Sequence, residues 1–130
     1  MAADIERLLT AYVEAQLNVR AVAELPADLS TPVNLPIIHI EEVPGPGWSI
    51  PTVEVCDVDV DVYQVGRQAS RELAEQARAL VMGMAGLVFE DRLTVVSKVE
   101  TARKPTLLPY DDSEIRRMGG SYRFHLHSRA

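Results

Sequence analysis

Residues 53–84, VEVCDVDVDVYQVGRQASRELAEQARALVMGM, change hydrophobic period half-way along. In the first half Val58, Val60 and Val62 alternate with Asp57, Asp59 and Asp61. Successive strand side chains point to opposite faces, so this is a strand with one apolar and one wet side. In the second half Ala69, Leu73, Ala77, Leu80, Val81 and Met84 recur at three- and four-residue steps, as one stripe of a helix does. A half-wet strand feeding an amphipathic helix is one α/β unit, and the rest of the chain is laid around it. Val53 and Val55 share parity with the aspartates. Either a bulge near Cys56 shifts the phase, or the two valines begin the strand on its outer face; the second reading buries Cys56 and is preferred.

Working outward, Asp4 caps a helix that runs to Leu17, with Ile5, Leu8, Leu9, Tyr12 and Val13 on one face and Asn18 as its stop. A short strand is expected over 19–25. After a proline-bracketed connection, Leu35–Val43 is the next strand, with Ile37, Ile38 and Ile40 supplying β-branched bulk. Residues 44–51, PGPGWSIP, are expected to be an exposed loop, because three prolines and two glycines leave few backbone donors. The central helix should end near Gly83 or Gly86. Strands follow over 93–103 and 115–128, separated by a second extended loop over 104–113. Gly119–Gly120 inside the last strand suggests a bulge or a close approach. The expected fold is α+β: a single domain over 1–130, with one mostly antiparallel, mixed sheet and two α-helices packed on one face.

The chain is acidic, with a formal net charge of −6, and has no run of Lys or Arg. That composition disfavours a nucleic-acid backbone as the main partner. A single cysteine excludes an intrachain disulfide framework and a multi-cysteine zinc site. No apolar run approaches a membrane span and no N-terminal signal pattern stands out, so no membrane partner is expected.

The aspartate row is the most suggestive feature. Neighbours at i, i+2 lie roughly 7 Å apart, a repulsion of about 0.6 kcal/mol in water and about 2.4 at an effective dielectric of about 20. A divalent cation would relieve it, but a straight strand fans its carboxylates out, and hard cations need converging oxygens. A solvated or channel-lining acidic face is the favoured reading, with no metal. His125 and His127 share a strand face and lack a third ligand nearby. Cys56 and the serines sit in none of the recognised nucleophile motifs, and no phosphate-binding glycine pattern occurs. No catalytic residue and no cofactor is therefore expected. Trp48 and Ile50 in the first loop, and Leu107, Leu108 and Tyr110 in the second, are apolar groups on segments expected to be exposed. They either contact subunits and partners or fold back as lids on the sheet.

The layout DIERLLTAYVEAQLNVRAVAELP, LPIIHIEEV, VDVDVYQVGRQASRELAEQARALV and IRRMGGSYRFHLH resembles the small tail terminator proteins of long-tailed bacteriophages, also called minor tail or tail-completion proteins. The resemblance spans nearly the whole chain and rests on layout, not on a signature motif. It implies a structural virion protein at the top of the tail, assembled in the host cytoplasm. Such a protein forms a ring, commonly a hexamer, that caps the tail tube protein, stops its polymerisation and offers a surface to the head–tail connector protein. DNA would pass nearby without specific binding, along a channel that Asp57, Asp59 and Asp61 could face. The alternatives are another neck component, such as a head-closure or adaptor protein, or a small cytoplasmic enzyme or ligand-binding domain using Cys56 or the histidines.

Overall fold

The computed structural model describes residues 4–27, 29, 34–50, 53–110 and 114–128, leaving aside the side chains of 46–50. The first helix, α1, spans Ile5–Leu17. Asp4 Oδ1 accepts the amide of Arg7 at 3.1 Å, which satisfies one of the donors that every helix start leaves free. At the other end Asn18 adopts the left-handed conformation (φ 55°), and its amide closes on the carbonyl of Glu14. Ile5, Leu8, Leu9 and Val13 are buried, as their spacing predicts. Each contributes on the order of 1.5–3 kcal/mol before entropy is subtracted.

Five strands follow: β1 (Arg20–Val22), β2 (Ile37–Ile50), β3 (Val53–Val65), and, after helix α2 (Arg67–Met82), β4 (Thr94–Leu108) and β5 (Ile115–Ser128). They form one sheet in the order β1-β2-β3-β5-β4. Only β1 and β2 run parallel; every other pair is antiparallel. α1 lies over β1 and β2, and α2 over β3, β5 and β4, so both helices cover the same face. This is the expected α+β sandwich. Its core joins the α1 stripe and Leu73, Ala74, Ala77 and Val81 of α2 to Ile38, Ile40, Val58, Val60, Val62, Tyr122, Phe124 and Leu126 of the sheet.

The phase of the central strand resolves as preferred. β3 pairs with β5 without interruption from Val53↔His127 to Val65↔Ile115, and Cys56 is buried on the helix side. On α2 the buried stripe takes in Ser70 and Ala74 and leaves Ala69 exposed. Ser70 tolerates full burial because its hydroxyl donates to the carbonyl of Gly66 at 2.6 Å.

Two expectations are corrected. Residues 44–50 are not a loop but the second half of β2, and 104–108 are not a loop but the end of β4. Both stretches lie on sheet flanks, where a missing N–H costs little because no strand waits to receive it. Bulges absorb the awkward residues: β2 slips register between Val43 and Gly47, and β4 between Thr101 and Arg103 and again between Arg103 and Thr106, around Pro105. A side chain at Gly45 would begin 2.9 Å from the carboxylate of Asp57, so the PGPG segment hugs the neighbouring strand as only glycine allows.

A second, smaller cluster lies on the helix-free face. Leu29, Ile37, Tyr63 and Ile115 are buried there, with Val22, Leu25 and Leu35 against them. Leu25, Leu29 and Leu35, from the stretch after β1, thus lie over one end of that face.

Candidate functional site

The helix-free face is where the sequence placed its candidate residues. Asp57, Asp59 and Asp61 point to it from β3, and Arg117, Ser121, Arg123 and His125 point to it from β5. The register sets each aspartate opposite a residue able to answer it. Asp57 faces Arg123, whose Nε and Nη2 donate to its two oxygens at 2.7 and 3.0 Å. That hydrogen-bonded fork holds the Asp57 carboxyl below its ordinary range, against a smaller opposing effect of burial. Asp59 faces Ser121, which donates its hydroxyl at 2.6 Å. Asp61 faces Gly119 and lays its carboxylate over that glycine, and Arg117 meets it there, with Nη2 at 2.7 Å and Nε at 2.9 Å from the same oxygen. The side chain of Asp61 is 5 % exposed and that of Arg117 35 %. Burial pulls the guanidinium's pKa down, but the hydrogen bond and charge of Asp61 outweigh it and the group stays firmly protonated. Oδ1 of Asp61 is buried with no hydrogen-bond partner. One step outward, His125 meets Glu100 of β4 at 2.6 Å, and Lys98 approaches the other oxygen of Glu100 at 3.9 Å. Glu100 titrates below its usual range chiefly because His125 donates to it.

The row of three carboxylates is therefore not a bare negative wall. It is one side of a set of cross-strand pairs. The sequence exposes the aspartates at once, because they alternate with valines. It hides their partners, because Arg117 and Arg123 become neighbours of Asp61 and Asp57 only through the β3–β5 register.

The five apolar contact candidates divide between the flanks. Trp48 and Ile50 belong to β2, opposite Glu54 and Val53; their side chains lie outside the described part. Leu107 is 52 % exposed on β4. Leu108 is half-buried, and Tyr110 is exposed yet sets its ring edge-on to Tyr63 with centroids 5.3 Å apart. Trp48 is level with Glu54 and Leu108 with Tyr63, through Arg117. Nine residues of strand separate those levels, roughly 30 Å at about 3.3 Å per residue. The two groups occupy opposite edges and opposite ends of the sheet.

An open crevice of about 440 Å³ on the helix side is lined by Glu6, Glu42, Val43, Pro44, Gly45, Glu54 and Val55. Sequence reasoning did not single it out, because its acids come from three separate elements. Burial raises the pKa of Glu42, and the nearby charges of Glu54, Glu6 and Asp4 raise it further. Cys56 lies beside these acids. Burial first, and Glu54 and Glu42 second, push its thiol up. A nucleophilic cysteine needs the reverse, an electropositive and partly open setting. Among the described residues no three His, Cys, Asp or Glu side chains converge closely enough to hold a metal ion.

No protein-family model matches this chain, and no curated protein matches it in sequence. Its chemistry has to be read from the faces and flanks themselves. Those offer cross-strand ion pairs on the helix-free face, a shielded thiol, and the exposed Leu107 and Tyr110 on or just beyond β4.

Proposed function

We propose that this chain is a structural protein of a phage tail, acting as tail terminators do: a ring of copies, commonly six, that caps the tail tube, stops its growth and presents a surface to the head–tail connector. The observation that carries the reading is the placement of the contact residues. A closed ring of identical chains is heterologous, so each copy must offer two different patches, one to each neighbour. Trp48 and Ile50 sit on the β2 flank and Leu107 and Tyr110 on or just beyond the β4 flank, at opposite edges of one sheet. In this reading the helix-free face turns toward the bore. Its acids are met by Arg117 and Arg123, so passing DNA finds neither a strong anchor nor a strong barrier.

The test is direct. The purified chain is added to growing tail tubes, and tube length is followed by electron microscopy. Tubes that stop at a uniform length and carry one extra ring support the proposal. Tubes that grow on as if the protein were absent overturn it and turn attention to another neck role.

A further inference from the structure

The proposed ring sets two flanks of each copy against its neighbours, and one contact bears on whether the β2 flank can take on a further strand. β1 covers β2 only from Ile37 to His39. Beyond that point no strand among the described residues pairs with the outer flank of β2, and a bare strand edge is a template for another strand. At Glu42 the backbone amide points out from the sheet. It is taken by a side chain: Glu6 of α1 accepts it through Oε2 at 2.7 Å. Two and four residues further on stand Pro44 and Pro46, which have no N–H to offer. The bulge between Val43 and Gly47 then breaks the spacing that an added strand would have to follow.

We infer that Glu6 is an edge stopper: its carboxylate occupies the amide of Glu42 and, with Pro44 and Pro46, bars a second copy of this chain from adding to β2. The inference deepens the proposed ring and rests on that reading only for the biological setting. α1 thus does two things. Its apolar stripe covers the sheet, and its first turn closes the flank that β1 is too short to reach. A carboxylate suits the task because it accepts strongly from an amide and donates nothing to an incoming strand.

The experiment follows mass in solution by light scattering over a concentration series, for the full chain and four variants: Glu6→Ala, Glu6→Gln, Glu42→Pro, and Glu6→Ala combined with Glu42→Pro. Glu6→Ala keeps the helix propensity of that position and removes the stopper; its mass should rise with concentration to at least double that of the wild-type species. Glu6→Gln keeps an acceptor oxygen and should track the wild type. Glu6→Ala with Glu42→Pro replaces the freed donor by a residue that has none, and should return to the wild-type mass. A thermal melt of each variant by circular dichroism confirms folding. The inference is overturned if Glu6→Ala tracks the wild type, if Glu42→Pro does not reverse its association, or if Glu42→Pro alone dissolves a wild-type assembly. None of these outcomes bears on tube capping, which tests the ring separately.

Discussion

Asp61 and Gly119 show how closely one residue can depend on another's lack of a side chain. The carboxylate lies over the glycine, and a methyl group there would run into Asp61 Oδ1 and stand 2.7 Å from Leu108 Cδ1. Gly119→Ala should therefore cost about 1–3 kcal/mol by overpacking, read as a lower denaturant midpoint with an unchanged slope. Two other carboxylates on the sheet should respond to acid with opposite signs. Arg123 lowers the pKa of Asp57, so the stability from that pair is present above the ordinary aspartate value and is lost as pH falls through the lowered one. Asp57→Asn should cost about 1 kcal/mol at neutral pH, since both partners are partly exposed, and the gap to the wild type should vanish in strong acid. Glu42 is raised by burial, so its charge is a burden that protonation lifts. Glu42→Gln should stabilise the protein at neutral pH, and that gain should disappear as pH falls below the ordinary value of 4.5. Urea titrations at a series of pH values read both effects.

At the scale of elements, much of the fold is legible in periodicity. The Val/Asp alternation marks β3, the three-and-four spacing marks both helices, and Asp4, Asn18 and Gly83 mark their ends. Asp4→Ala should cost about 1 kcal/mol by releasing the amide of Arg7, measurable as a drop in melting temperature. What periodicity hid were the strand halves rich in proline and glycine. Residues 44–50 and 104–108 carry loop composition, yet hydrogen bonding to an inner neighbour on one side is enough to hold a flank strand straight. The partners of the aspartate row were hidden for a different reason: a register between residues more than fifty positions apart is a tertiary fact. The stopper at Glu6 was out of reach on both counts, since a helical glutamate on a charged chain reads as solvated until the helix is seen against the edge of β2.

At the scale of the molecule, the two faces of the sheet divide the work. One is buried by helices and makes the domain stable. The other is a polar surface on which Arg117 and Arg123 answer two of the three aspartates, and the proposed bore depends on that pairing. Removing Asp57 and Asp59 by Asn substitution would leave Arg123 without its counter-charge on a face that also carries Lys98 and His125. Such a variant should acquire salt-dependent retention of double-stranded DNA that the wild type lacks, read by a shift assay at low and high ionic strength. If the double variant ignores DNA as the wild type does, the pairing across β3 and β5 has no bearing on what slides past it.

The single thiol gives the protein an internal clock. Cys56 is 2 % exposed, on the face of β3 that the helices cover, and its burial first, with Glu54 and Glu42 beside it, keeps the thiol protonated. An alkylating reagent must wait for that packing to open at the β2 flank before it can react. With reagent in excess, the rate of labelling then counts openings of the flank and not the reactivity of sulfur. Because Glu6 tethers the same flank, its loss should make the clock run faster while leaving the melting temperature of the whole domain nearly unmoved.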